Sequence, residues 1–220
     1  MTFAGVVFDF DGVIVDSERH WPEADNAYFK KHMPAWKDEY HAGLVGRSLA
    51  EAHDILVKRH GFKLSMDSFA ASYEAVAVEM YGSIVKILEN FNSVLDLLGT
   101  TDKKRAIASS SKAAWIDAAL KRHALNGAFP VIVTAYDSPI KAGKPAPDIY
   151  LHAAERLGED PSSLVAIEDS TNGVRSAKAA GLYCLGLVNG FNQDQDLSEA
   201  DEIITGYGDK SLATLARLLA

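Results

Sequence analysis

The stretch VVFDFDGVIVDSE, Val6 to Glu18, passes abruptly from apolar to acidic. Val6, Val7 and Phe8 lead straight into Asp9, and Asp11 follows two places later. Ionised carboxylates are costly to bury unless something pairs them. Either the strand ends at the surface, or a cation and a reaction belong there. Gly12 comes next and permits a sharp exit from the strand. Side chains two apart on a strand share a face, but beyond the strand end the chain turns. Carboxylates so placed can divide labour: one attacks, and the other handles a proton. Asp194 and Asp196 repeat the spacing without a preceding apolar run, and read as solvated surface.

The elements that must position such groups show as short apolar, β-branched runs. They are GVVFDF (5–10), RAIASS (105–110), PVIVTA (130–135), LVAIED (164–169) and YCLGLV (183–188). Most are continuous rather than alternating, as expected of strands buried on both faces of a parallel sheet. Helix-period stretches lie between them: AAWIDAALKRHAL (113–125), APDIYLHAAERLG (146–158) and NGVRSAKAAGL (172–182). Alternating strands and helices predict an open α/β sheet with right-handed crossovers. About ninety residues separate Val15 from Lys104, against the roughly thirty of a βαβ unit. That interval carries helical patterns at 22–33, 49–61 and 69–88, and SVLDLLG (93–99) reads as the tail of the ordinary crossover helix. Residues 16–84 are therefore read as a helical insertion, and NQDQDLSEADE (192–202) as a polar loop.

In an open parallel sheet, ligands bind outside the carboxyl ends of the strands. The first strand ends in Asp9 and Asp11, and the second in Ser109, Ser110, Ser111 and Lys112. The third leads through a loop to Lys144, and the fourth ends in Glu168, Asp169 and Ser170. Carboxylates, hydroxyls and an ammonium at successive strand ends suit a hard, oxygen-ligated cation such as Mg²⁺ beside a phosphate.

DFDGVIVDSE, ASSSK, GKPAPDIY and IEDSTNG, in this order and at these spacings, resemble the four motifs of the haloacid dehalogenase superfamily. The nearest likeness is to its helical-cap phosphatase and β-phosphoglucomutase-like branch, and it spans essentially the whole chain. The resemblance implies a Rossmann-like open parallel sheet core, residues 1–15 and 85–220, with an inserted α-helical cap at 16–84. It implies that Asp9 attacks phosphorus, and that Asp11 protonates the leaving oxygen and then deprotonates water. Ser109 would hydrogen-bond the transferring phosphoryl group and Lys144 would offset its charge. Asp169, Asp9 and the main-chain carbonyl of Asp11 would hold Mg²⁺, with Glu168 a further ligand directly or through water. Members that remove halogen from carbon lack the second aspartate and the metal, so dehalogenation is not expected.

Each residue has a plainer alternative. Ser109 could simply end a strand, and Ser110 reads as structural, whereas Ser111 and Lys112 could touch substrate. Lys144 stands between Gly143 and Pro145, a turn that aims its side chain, while Lys141 reads as surface. Glu168 could anchor the site from behind. Asn172 and Gly173 could open a helix, as an N-cap or in contact with the Asp11 loop.

The insertion should decide what molecule enters, with hinges near Asp16–Ser17 and Ser83–Lys86. Candidates for substrate contact are Glu18, Trp21, Gly46, Arg47 and Ser48. GLVGRS (43–48) resembles a cap loop that touches sugar phosphates, where Arg47 either binds a second anionic group or is exposed at a helix start. The apolar stripe Tyr28, Phe29, Ile55, Leu56, Phe69 and Tyr73 reads as cap core. β-Phosphoglucomutase relatives carry a histidine at the position of Trp21; His20 is adjacent, but one place along a helix rotates it by ~100°. DSERHW (16–21) looks more like sugar-phosphate phosphatases with an aromatic there. A second departure is at 86–98, where relatives often lead into the crossover helix with Pro-x-x-Gly.

The net charge of -8 and the lack of any Lys/Arg run argue against a general nucleic-acid binder. Cys184 is the only cysteine, in an apolar context, so no intrachain disulfide forms and a reducing compartment is expected. No basic leader begins the chain and no apolar run approaches a membrane span, so a cytoplasmic monomer without membrane attachment is expected. The function expected is a Mg²⁺-dependent phosphoric monoester hydrolase acting on a small phosphorylated substrate, a sugar phosphate. The alternatives are a phosphomutase and a non-catalytic binding protein on the same scaffold.

Overall fold

The computed structural model describes residues 2–44 and 49–220. The apolar runs form parallel strands β1 (Gly5–Phe8), β2 (Lys104–Ser109), β3 (Val131–Thr134), β4 (Leu164–Glu168) and β5 (Tyr183–Val188), joined at one edge by β6 (Glu202–Thr205). Their order is β3–β2–β1–β4–β5–β6, and every neighbouring pair is parallel. Val7 in β1 pairs with Ala106 on one side and Ala166 on the other. Side chains alternate across the sheet, so a continuous apolar run serves two cores at once. Val6 and Phe8 pack with Ile107, Val165 and Ile167 on one face. Val7 packs with Ala106, Ala108 and Ala166 on the other.

Five helices cover these faces. Phe91 of α4 (Phe91–Gly99), Ile116 of α5 (Ala113–Arg122) and Leu215 of α8 (Asp209–Leu219) belong to the Phe8 side. Tyr150 of α6 (Asp148–Leu157) and Val174 of α7 (Thr171–Ala179) belong to the Val7 side. Between β1 and α4 the chain forms α1 (Trp21–His32), α2 (Leu49–His60) and α3 (Met66–Ser83). These bury a cluster of their own, in which Tyr28, Phe29, Leu56 and Phe69 are buried and Ile55 and Tyr73 pack against it. The stripe expected to be cap core is therefore cap core. Among the described residues, no helix is long and apolar enough to cross a membrane.

Three elements differ from the sequence reading. The pattern over 69–88 predicts one long helix, but α3 runs from Met66, capped by the Ser65 hydroxyl, to Ser83. The residues after it return to the core as a linker that pairs with the outgoing one. The Lys86 N–H donates to Asp16 Oδ1 at 2.7 Å, the Asp16 N–H to Lys86 O at 2.9 Å, and the Leu88 N–H to Ile14 O at 2.9 Å. Secondly, 93–99 is most of the crossover helix rather than its tail, and the chain enters it through Asn90 at φ 63°, without the Pro-x-x-Gly lead-in. Thirdly, β6 and α8 have no counterpart in that reading. β6 is an edge strand that buries only Ile204 among its four residues, so it carries no apolar run to notice.

Candidate active site

The strand order reverses at β1, with β2 on one side and β4 on the other, and such a switch point opens a crevice beyond the strand ends. Asp9 directly follows β1 and its N–H still bonds Ile167 O at 3.0 Å, which keeps it beside the end of β4. Glu168 and Asp169 come next on that strand. Carboxylate oxygens of Asp9, Glu168 and Asp169 lie within 4.8 Å of one another, and all three residues are buried.

Lys144, from the loop between β3 and α6, meets this group. Its Nζ donates to Asp9 Oδ1 at 2.5 Å, to Glu168 Oε1 at 2.6 Å and to the main-chain oxygen of Ala108 at 3.0 Å. An ammonium has three hydrogens, and all are engaged. The Tyr150 hydroxyl adds a bond of 2.5 Å to Glu168 Oε1. Burial pushes the Asp9 carboxyl above its ordinary range; Lys144 opposes this, while Glu168 and Asp11 reinforce it. Asp169 is raised by burial, then by Asp9 and Glu168. Burial works against the Lys144 ammonium, but the charges of Asp9 and Glu168 outweigh it and hold it protonated above its usual range. Three carboxylates facing one ammonium leave buried negative charge uncompensated. An all-oxygen set of this size and charge fits a hard divalent cation.

Two glycines make the close packing possible. Gly12 has φ +75°, and a β-carbon there would fall 1.9 Å from Asp169 Oδ2. At Gly173, in the first turn of α7, a β-carbon would fall 1.9 Å from Glu168 Oε2. The α7 N-cap is Ser170, whose hydroxyl accepts the Gly173 N–H at 3.0 Å, so neither Asn172 nor Gly173 fills that place.

Asp11 stands apart from the carboxylate group. Its Oδ1 accepts the Ser17 hydroxyl at 2.5 Å and the Tyr81 hydroxyl, and its Oδ2 accepts the Ser111 hydroxyl at 2.5 Å. Tyr81 belongs to α3 and Ser17 to the start of the 16–84 insertion, so only Ser111 of the three donors comes from the core. A cleft of about 550 Å³ opens over these residues, lined by Asp9, Asp11, Trp21, Ser110, Ser111 and Asp169. Glu18 and Asp194 also line it, and both are exposed. Asp194 is thus solvated, as its context suggests, yet it belongs to the rim of the cleft.

Other candidates are placed as follows. Ser109 is buried at the end of β2, its hydroxyl oxygen accepting the Ser111 N–H at 2.9 Å, and Ser110, read as structural, lines the cleft. Lys112 points toward the cap: it pairs with Glu74 of α3 at 2.5 Å and sits 5.9 and 5.8 Å from the ring centres of Trp115 and Tyr136. His20 Nε2 lies 3.1 Å from Asp16 Oδ1, at the start of the insertion. Lys141 is exposed. Gly46, Arg47 and Ser48 lie outside the described residues.

The chain matches the haloacid dehalogenase-like hydrolase family over residues 6–187. It belongs to that family. A phosphorylated carbohydrates phosphatase of Thermotoga maritima is 28% identical to it over 215 residues, 97% of this chain and 99% of the relative. A Thermotoga maritima crystal structure described as a candidate β-phosphoglucomutase matches 100% of both chains with a TM-score of 0.83 and 28% identity. A Deinococcus radiodurans HAD family hydrolase, crystallised with bound phosphate and sodium, matches 99% of this chain and 98% of its own with a TM-score of 0.75 and 26% identity. The protein is an enzyme, a phosphoric monoester hydrolase acting on small phosphorylated metabolites.

In this haloacid dehalogenase-like hydrolase, several residues around the cleft escaped the sequence reading. Asn189 Nδ2 donates to Gly12 O and to Asp169 Oδ2, both at 2.9 Å. Asn192 Nδ2 donates to Asp169 O at 2.7 Å and Leu187 O at 2.9 Å. Asn189 follows β5 directly, so reading what stands after each apolar run would have found it had the fifth run been included. Ser17, Tyr81 and Tyr150 offered no such signal, because each sits in a helix or turn where its hydroxyl looks like one more surface group.

Proposed function

We propose that this enzyme is a Mg²⁺-dependent phosphatase of sugar phosphates that works through an aspartyl phosphate on Asp9. The observation that supports it best is the joint placement of Asp9, Lys144, Glu168 and Asp169 in one buried group, with Asp11 held separately by hydroxyls beside it. Asp9, Asp169 and Glu168, with the main-chain carbonyl of Asp11, would hold Mg²⁺, which when bound neutralises charge where two anions must meet.

An Asp9 carboxylate oxygen attacks phosphorus as the ester P–O bond breaks, and Asp11 gives its proton to the departing oxygen. Asp11, now a carboxylate, takes a proton from water. That water attacks the phosphorus, the bond to Asp9 breaks, and orthophosphate leaves with Asp9 restored. Lys144 offsets the phosphoryl charge. Ser109 accepts from Ser111 and so keeps its own hydrogen to donate to a phosphoryl oxygen. Residues 16–84 act as the cap that excludes water during the first step.

A phosphomutase is the second reading, supported by the TM-score of 0.83 to the β-phosphoglucomutase candidate. Against it, His20 is engaged with Asp16, and Trp21 holds the neighbouring position. Phosphate release from hexose 6-phosphates, compared with conversion of a hexose 1-phosphate primed by a bisphosphate, separates the two. Asp9→Asn is expected to abolish release without altering the circular dichroism spectrum. Undiminished turnover by that variant would rule out Asp9 as nucleophile.

A further inference from the structure

The segment that brings Lys144 into the site goes on to supply Tyr150, in the first turn of α6. Tyr150 is fully buried. Its hydroxyl donates at 2.5 Å to Glu168 Oε1, the same oxygen that accepts the Lys144 ammonium at 2.6 Å. Its ring centre lies 5.2 Å from Lys144 Nζ, within reach of a cation–π contact. The loop and the helix after it therefore grip the end of β4 together, one by a charge and the other by a phenol.

A buried tyrosine hydroxyl ordinarily finds an acceptor, and a partner alone would mean no more than that. What sets Tyr150 apart is the acceptor it takes. A carboxylate oxygen offers two lone-pair directions, and at Oε1 one meets the ammonium and the other the phenol. On Oε2 the only hydrogen bond among the described residues is a long one, from the Ser170 hydroxyl at 3.4 Å. The last torsion of a glutamate is soft, so the donors at Oε1 decide how the carboxylate is turned. Lys144 Nζ is held in turn by Glu168 Oε1 and by the main-chain oxygen of Ala108, and its third bond is to Asp9 Oδ1. A Glu168 carboxylate free to turn would leave the ammonium with a fixed partner on the Ala108 side alone.

Building on the phosphatase reading, we propose that Tyr150 is a positioning residue whose hydroxyl locks the Glu168 carboxylate in the rotation that aims the Lys144 ammonium at Asp9. It touches neither the substrate nor the reacting atoms. It acts through Glu168, and the same lock holds that carboxylate ready for the cation.

Tyr150→Phe tests this, because it keeps the ring beside Lys144 and removes only the donor. With p-nitrophenyl phosphate as substrate and Mg²⁺ saturating for each protein, kcat is expected to fall about tenfold or more with KM little changed. Calorimetric titration with Mg²⁺ supplies a readout independent of turnover, and the expected affinity is lower by about tenfold. A hydroxyl that merely completes the packing would lower the melting temperature and move neither quantity. Parent-like kcat and Mg²⁺ affinity in Tyr150→Phe, whatever its melting temperature, would overturn the proposal. So would a raised KM with kcat intact, which would set Tyr150 against the substrate. Lys144→Ala, assayed alongside, is expected to abolish phosphate release. Full turnover by Lys144→Ala would count against the role that the phosphatase reading gives the ammonium, and the Mg²⁺ titration of Tyr150→Phe would then decide on its own whether Tyr150 holds Glu168.

Discussion

Gly12 lies against Asp169 so closely that a single methyl group on its α-carbon would fall 1.9 Å from Oδ2. Its φ of +75° adds a second demand that only glycine meets at little cost. Gly12→Ala therefore incurs backbone strain of about 1–2 kcal/mol before any displacement of Asp169 is counted. The expected outcome is a melting temperature lower by about 4 °C or more, with phosphate release severely reduced. A variant that melts and turns over as the parent does would show that the carboxylate is not where the close approach puts it.

The two asparagines that hold Asp169 should matter for metal binding more than for folding. Asn189→Ala removes donors to Gly12 O and Asp169 Oδ2. Loss of such an outer partner lowers metal affinity by about 10- to 100-fold. Titration calorimetry with Mg²⁺ reads this directly; unchanged affinity would remove Asn189 from the site.

Rising pH should weaken the metal-free protein while strengthening the stabilisation that a divalent cation adds. Burial raises the carboxyls of Asp9 and Asp169, so as pH rises from about 4 the unfolded chain releases these protons first. The metal-free protein then loses stability with rising pH until the folded-state groups ionise. Mg²⁺ requires the carboxylates deprotonated, so its stabilising effect grows in the same direction. The rise in melting temperature on adding Mg²⁺ is expected to be larger at about pH 8 than at about pH 6. An equal rise at both would mean that protons and cation do not compete for one group.

Tyr81→Phe tests the hydroxyl that α3 sends to Asp11. The ring stays in its packing with Phe10 and Trp115, and only the donor is lost. Misplacement of a catalytic group by a small distance costs up to about 100-fold. The expected result is a kcat lower by about tenfold or more with KM little changed. A fall in affinity with kcat intact would assign Tyr81 to substrate instead.

The open sheet and its acidic strand ends were legible because β1 and β4 are buried on both faces, which forces the continuous apolar runs that precede Asp9 and Glu168. The cap stripe was legible for a similar reason, since Phe69 and Tyr73 stand four residues apart on α3 and pack into one cluster with Phe29 and Leu56. What stayed hidden depends on contacts far apart in the chain. Tyr81 and Asp11 are 70 residues apart, and Asn189 and Gly12 are 177 apart, so neither pairing leaves a local pattern. β6 escaped notice because an edge strand with one buried residue resembles a loop. The long helix expected over 69–88 stops at Ser83, and Lys86 and Leu88 pair instead with Asp16 and Ile14, partners about 70 residues away that leave no local pattern.

The Tyr81 hydroxyl also ties Asp11, the proposed proton carrier, to the cap. Asp11 has one donor from the core, Ser111, one from the start of the insertion, Ser17, and one that arrives only on α3. With the cap swung aside, the acid proposed to protonate the leaving group would lose a tether and lie more open to solvent. The enzyme would then be least competent when bulk water has easiest access to Asp9, a built-in economy against futile attack on an unshielded site.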